Sequence, residues 1–274
     1  MSPRSLFLSS ALALVLIPES RAAIIFQSDF NTDPEPAPSF SFLAGTGTTI
    51  NYNTNGPGGS RALELADNGT GSAVATLDFG LAAFPTFNTA TSGQELIRMT
   101  ADFAVTTMVG ASNSASIPRI LFRNTANTAN GLTLGLGQTS AGNLILYAAK
   151  GDNATPSAGN RVVLINYGAY DATTGNEHLN DTNDVYVRIA IEYFNGSDTL
   201  TVSAYNGSTL LTSGNLTGFT GVSFSNSNLD VLFATGTGGV GTAYLDNVLI
   251  EAVPEPSAIG LAVLGALGFI RRKR

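Results

Sequence analysis

The sequence predicts an all-β protein, a two-sheet antiparallel jelly-roll sandwich, and three observations carry that expectation. Short apolar runs alternate with clusters of Gly, Asn, Asp, Ser and Thr from Ala23 to Glu251, and no helical period persists in that stretch. Hydrophobic residues make up 43% of the chain, enough for a substantial core, while charged residues are only 12%. That is too few for the Glu- and Lys-rich outer faces of amphipathic helices. Roughly twelve short strands read from such a pattern have to pack as two sheets or close into a barrel. An up-and-down barrel or a right-handed β-helix is the alternative, but no fixed repeat period supports the solenoid.

From the N-terminus, Arg4 precedes a largely apolar run from Leu6 to Ile17, then Pro18 and small residues around Ser20-Arg21-Ala22. This is the order of a secretory signal helix with a cut after Ala22. Residues 1–22 are therefore read as signal peptide, 23–251 as the sandwich, and 252–274 as a C-terminal tail with a membrane helix. The clearest strand is Val185 to Phe194, whose odd and even positions separate an apolar face from a wet one. Asn195-Gly196-Ser197-Asp198 turns it into Leu200 to Tyr205, and Asn206-Gly207 turns that into Thr209 to Thr212, a meander. Ile97 to Val105, Leu132 to Leu136 and Leu144 to Ala148 alternate in the same way. Further strands are expected at Ile24 to Phe30, Ala62 to Ala66, Ala73 to Phe79, Arg119 to Arg123, Arg161 to Asn166, Leu229 to Ala234 and Ala243 to Ile250. The loops Asn55 to Ser60, Asn124 to Asn130, Gly151 to Asn160 and Tyr170 to Asp184 are long enough to carry sites.

Phe26-Gln27-Ser28-Asp29-Phe30 and Tyr244-Leu245-Asp246-Asn247-Val248 resemble the first and last strands of concanavalin-A-like or laminin-G-like sandwiches. The resemblance implies that the terminal strands pair with each other. Extracellular sandwiches often tie such strands with a calcium ion held by carboxylate and carbonyl oxygens, which makes Asp29 and Asp246 candidate calcium ligands. Asn180 to Asp184 is a second oxygen-rich candidate, without the Gly and terminal Glu of an EF-hand loop.

At the other end, Val253-Pro254-Glu255-Pro256 is followed by an apolar stretch from Ala258 to Ile270 and then by Arg271, Arg272, Lys273 and Arg274. A helix over that stretch spans only about 20 Å, short of a hydrocarbon core of about 30 Å, and inserts if the bilayer thins and the basic side chains snorkel. The terminal cations favour the cytoplasmic face, leaving the body outside the inner membrane. The three-part order resembles the PEP-CTERM sorting signal of Gram-negative, exopolysaccharide-producing bacteria. That resemblance implies recognition at Pro254, Glu255 and Pro256 by exosortase, a membrane processing enzyme, followed by release to the outer envelope or extracellular matrix.

Chemistry is sparse in the body. The two terminal segments hold six of the 13 basic residues, so the body is more acidic than the chain's formal −7 and lacks the basic footprint of a nucleic-acid binder. The absence of cysteine excludes disulfides and a thiol nucleophile. His178 is the only histidine and no Gly-x-Ser-x-Gly elbow accompanies it, so a nucleophilic triad and a protein-built zinc site are both disfavoured. Glycosidases set two carboxylates about 5–9.5 Å apart; the candidate pairs Glu64/Asp67 and Asp246/Glu251 lack the even spacing that aims two side chains at one strand face. Tyr147, Tyr167, Tyr170 and Tyr205 are the candidate sugar-stacking rings in a chain without Trp. The expectation is a non-enzymatic surface or matrix protein, with exopolysaccharide binding as the alternative and glycoside hydrolysis third.

Overall fold

The computed structural model describes residues 22–31, 40–69, 71–78, 95–110, 118–170, 176–177, 186–194, 196–222, 224–225, 228–235 and 240–254. His178, the Asn180 to Asp184 loop, Glu255, Pro256, Arg271 to Arg274, the apolar run from Ala258 and the signal segment before Ala22 lie outside the described residues. Among the described residues no helix is long and apolar enough to cross a membrane.

The described chain is all-β, in two antiparallel sheets. One sheet takes β14 (Thr209–Leu216), β13 (Leu200–Asn206), β12 (Val187–Phe194), β6 (Glu95–Val109), β16 (Val240–Pro254), β4 (Arg61–Asn68) and β3 (Thr48–Asn55) in that spatial order. Off that path, β1 (Ala23–Ser28) pairs with β16, and β11 (Asn176–Glu177) pairs with β6. We call this sheet A. Sheet B runs β10 (Arg161–Ala169), β9 (Asn143–Lys150), β8 (Leu132–Gln138), β7 (Arg119–Asn124), β15 (Leu229–Ala234), β5 (Ala73–Asp78) and β2 (Ser41–Ala44).

Period-two alternation places one face of each sheet in a common core. Ile97, Met99, Ala101, Phe103 and Val105 of β6 and Val187, Ile189, Ile191 and Tyr193 of β12 point inward and are almost fully buried. Ile120 and Phe122 of β7 and Val231 and Phe233 of β15 meet them from sheet B. Phe103 and Phe233 close the gap edge to face, with centroids 6.1 Å apart, a geometry that adds about 0.5–1.5 kcal/mol to simple burial. Tyr193 brings its hydroxyl into the core, where it reaches the Val222 carbonyl at 2.5 Å and accepts from the Gly196 amide at 3.1 Å. This satisfies a polar atom that burial would otherwise penalise and pins the turn after β12.

The expected meander β12–β13–β14 is present, with one register shift between Ala204 and Tyr205 where β13 pairs with β14. Its second loop is Gly207-Ser208, with Gly207 at φ 58, a value that glycine adopts without strain. Strands β2 and β3 were not predicted, and β14 extends four residues beyond the predicted Thr212. All three lie at sheet edges. An edge strand needs no apolar outer face, so the Thr-, Asn- and Ser-rich segments Thr48–Asn55 and Thr209–Leu216 are held there by backbone pairing and by polar side-chain pairs such as Asn51 with Glu64 and Thr201 with Asn215. The Gly151 to Asn160 loop, read as open to function, packs against sheet B instead. Tyr147 donates to the Ala154 carbonyl at 2.9 Å, and Ala154 and Ala158 cover Ile145, Tyr147 and Ala149.

Strand β16 departs most from its predicted extent, Ala243 to Ile250. It pairs with β6 from Val240 to Pro254, with β4 through Leu245, and with β1 from Val248 onward. The two terminal strands thus pair as expected, with Ala23 opposite Ala252 and Ser28 opposite Val248.

Candidate functional site

The outer face of sheet A carries a cluster of charged side chains, organised by a bulge in β16. Asp246 is opposite Asp102 and Leu249 is opposite Thr100, so Asn247 and Val248 together face one residue of β6. Asn247 accommodates the extra residue at φ 47, a left-handed conformation that Asn tolerates better than most residues. At this point β16 exchanges neighbours, with its β4 pairing ending at Leu245 and its β1 pairing starting at Val248.

The bulge also changes parity. Asp246 and Glu251 are an odd number of residues apart, which predicts opposite faces; with one residue absorbed, Asp246 sits beside Asp102 and Glu251 beside Arg98 on the same outer face. The expectation that this pair cannot share a face is corrected on that ground. Glu64 and Asp67 do diverge. Glu64 accepts from Asn51 Nδ2 on the outer face, whereas Asp67 is buried with Oδ1 accepting from the Gly69 amide at 2.7 Å.

Asp102 is buried and strongly held. Arg188, its cross-strand partner, donates through Nε at 2.7 Å and Nη2 at 2.9 Å, and Asn247 Nδ2 donates at 3.0 Å. The bidentate hydrogen bond holds Arg188 above the ordinary guanidinium range. Asp246, only 2% exposed, receives the Asn247 amide at 2.7 Å. Burial raises its pKa, and the negative charges of Asp102 and Asp29 push it the same way. The β3–β4 turn roofs this corner. Tyr186 lays its hydroxyl where a side chain on Gly56 would have to stand, 2.0 Å from the position of its Cβ. Ser60 leans toward both Tyr186 and Asp246, yet Ser60 Oγ and Tyr186 Oη are sealed from solvent without a hydrogen bond of good geometry. Burial drives the Tyr186 phenol well above its usual range.

The two candidate calcium ligands are therefore neighbours, as the terminal strand pairing requires, but their surroundings differ. Asp29 is exposed and its carboxylate is lowered by the side chain and backbone of Asn31, whose amide donates to Oδ1 at 3.2 Å. Among the described residues no three carboxylate or histidine groups come together as metal ligands.

Farther along the same face, Arg98 bridges Glu192 at 2.7 Å and Glu251 at 2.9 Å. Between this triad and the Arg188–Asp102 pair lies an open groove of about 280 Å³ lined by Arg98, Thr100, Arg188, Glu192, Tyr205 and Ser208. Tyr205 is the one candidate sugar-stacking ring in the groove. Tyr147 is fully buried under its loop, and Tyr167 and Tyr170 pack against the core. Sequence reasoning missed Arg98, Asp102 and Arg188, although each alternates with core residues on a strand it had identified. Their sequence positions mark them as outward-facing; their mutual pairing depends on the order β12–β6–β16.

Two outcomes follow. Arg188→Met strands a buried carboxylate, and urea denaturation is expected to read a loss of about 1–3 kcal/mol. For Asp246, a folded-state pKa raised above the unfolded value means that the ionised group opposes folding at neutral pH, and the penalty fades as pH falls through the folded pKa toward 3.8. Asp246→Asn is accordingly expected to be more stable than the parent at pH 7 and equal to it below pH 3.8. A stability gain that grows toward acid would contradict this account of Asp246.

Comparison with known proteins supports the sandwich and the tail separately. A carbohydrate esterase from the Shiga toxin-encoding bacteriophage phi24B superposes with a TM-score of 0.50 at 18% identity, covering 86% of this chain and 100% of that one. A lectin from Bauhinia forficata in complex with GalNAc gives 0.44 at 12% identity over 85% of this chain and 99% of its own. The winged bean acidic lectin complexed with methyl-α-D-galactose gives 0.48 at 9% identity over 85% and 99%. At these identities the likeness is one of fold alone, and the first of the three carries it. No curated protein matches the sequence. Residues 252–274 match the PEP-CTERM protein-sorting motif, which identifies the tail as the sorting signal of an exported protein.

Proposed function

We propose that this chain is a non-enzymatic surface or extracellular-matrix protein of a Gram-negative, exopolysaccharide-producing bacterium, held at the inner membrane by its tail and then released by an exosortase-type enzyme. The observation that carries the reading is the sorting motif at 252–274, which begins within the last strand of the sandwich. Body and signal are thus joined without a linker between them. The outer-face carboxylates favour a structural over a catalytic role, because Asp102 is committed to Arg188 and Asn247, and Glu192 and Glu251 to Arg98. Replacing Pro254, Glu255 and Pro256 with alanine is expected to leave the chain at full length in the inner-membrane fraction, whereas the parent loses Arg271 to Arg274 and leaves that fraction. Mass spectrometry of both pools reads the outcome; equal release of the two chains would count against sorting.

A second reading, exopolysaccharide binding by the body, is favoured by the groove beside Tyr205. A phenol ring next to Arg98, Glu192 and Ser208 offers one stacking surface and several hydrogen-bonding groups. The ion pairs around it nearly cancel in charge, which suits a neutral sugar better than a polyanion. Affinity electrophoresis in gels containing the host's exopolysaccharide is expected to retard the parent chain and to show at least tenfold weaker retardation for Tyr205→Ala. No retardation of the parent would end this reading.

A further inference from the structure

Five Asn-Gly pairs occur in the chain, at Asn55-Gly56, Asn68-Gly69, Asn130-Gly131, Asn195-Gly196 and Asn206-Gly207. Asn-Gly is the dipeptide at which a backbone most readily attacks its own side chain, because glycine has no Cβ to obstruct the approach of its nitrogen to the Asn amide carbon. The attack needs that nitrogen to give up its proton and to turn toward the side chain, so an N–H already aimed at an acceptor is withheld from it. Four of the five are withheld. The Gly56 amide donates to the Ser60 carbonyl at 2.8 Å, Gly69 to Asp67 Oδ1 at 2.7 Å, Gly131 to the Thr128 carbonyl at 3.2 Å and Gly196 to the Val222 carbonyl at 2.9 Å.

Gly207 differs. It stands exposed in the two-residue turn between β13 and β14, at φ 58, and among the described residues its amide meets no acceptor. A Cβ placed on it would find nothing within 4 Å beyond its chain neighbours, so water has free access to the junction. The turn is also loosely attached. Asn206 and Thr209 form the last pair of the β13–β14 ladder, and with Tyr205 and Leu210 they are the only pairs beyond the irregularity that leaves Leu211 unmatched. Leu210 and Leu211 are both exposed, so little apolar burial resists opening of the tip. Rotation about the Asn206 Cα–C bond, which the attack requires, gives up that final pair and swings Gly207 and Ser208, both already in solvent.

We infer that the fold selects Asn206 as a site of spontaneous modification, converted to aspartate and isoaspartate without an enzyme as the molecule ages. In the first step the Gly207 nitrogen bonds to Asn206 Cγ, the Cγ–Nδ2 bond breaks, and ammonia leaves carrying the proton that the nitrogen lost. The cyclic imide so formed takes up one water. Opening at Cγ gives aspartate; opening at the main-chain carbonyl gives isoaspartate, whose backbone runs on through Cγ and is one carbon longer. Either product adds a negative charge at neutral pH, and isoaspartate also lengthens the tip that places Gly207 and Ser208 on the groove beside Tyr205. The rim of the groove therefore differs between old and new molecules.

The full-length chain, purified in detergent, is aged at mildly alkaline pH in water enriched in heavy oxygen, so that only conversions made during ageing carry the label. Each Asn-Gly pair is followed by peptide mass spectrometry, with fragmentation that separates isoaspartate from aspartate. In the folded chain Asn206 is expected to convert at least about tenfold faster than each of the other four, in proportion to how much more readily its turn opens. In urea, where the hydrogen bonds that protect the other pairs are lost, all five rates are expected within about twofold of one another. A smaller lead for Asn206 in the folded chain, or the same lead in urea, overturns the inference.

Discussion

Strand β16 is paired with β6 on one side and, on the other, with β4 through Leu245 and with β1 from Val248 to Ala252, and the rest of sheet A is arranged around that constraint. A central strand exposes no backbone N–H or C=O to water, so every group along it has to find a protein partner. One side is satisfied by β6 over the whole strand; the other is shared between β4 and β1. The exchange of neighbours falls at Asp246 and Asn247, where the bulge adds a residue and alters which side chains share a face. Without that extra residue the apolar positions on either side of the exchange could not both point into the core. Leu245 lies before it and Val248 and Ile250 after it, all buried.

The same irregularity explains why charge collects on this part of the outer face. Cross-strand neighbours on one sheet face stand close enough to form ion pairs, and the order β12–β6–β16 makes Arg188 a neighbour of Asp102 and brings Arg98 between Glu192 and Glu251. The two clusters differ in energetic weight. Arg98 and Glu192 are each more than a third exposed, so water and salt screen them and the bridge contributes less than about 1 kcal/mol. Asp102 is largely withdrawn from water and receives three hydrogen bonds, which offset the cost of burying it. Asp246 next to it is buried as well, and desolvation raises its pKa above the usual carboxylate value despite the Asn247 amide.

The placement of β16 also joins architecture to sorting. A tail added after a flexible linker could be removed with no reference to the body. Here the last paired residue, Pro254, already belongs to the motif, and the strand opposite its end begins at Ala23, directly after the expected signal cut. The expected signal cut and the start of the sorting motif therefore both adjoin strand β16.

Most of the fold was legible in the amino-acid sequence because its signal is local. Alternation in Ile97 to Val105 and Val185 to Phe194 records which residues face the core, and Asn206-Gly207 marks a turn whatever the strands later pair with. The tail was legible for a similar reason, since its three parts act in order along the chain and need no tertiary partner to be recognised. The edge strands Ser41–Ala44 and Thr48–Asn55 were hidden because they lack a sustained apolar alternation, and the contacts that hold them, backbone pairing and Ile50 and Tyr52 against the core, appear only once the sheets are assembled. What only the tertiary structure decided was the grouping of Asp102, Arg188, Asp246 and Asn247. It depends on strand order between segments more than eighty residues apart and on a one-residue bulge that reverses the parity of everything after it, and neither leaves a periodic trace in sequence.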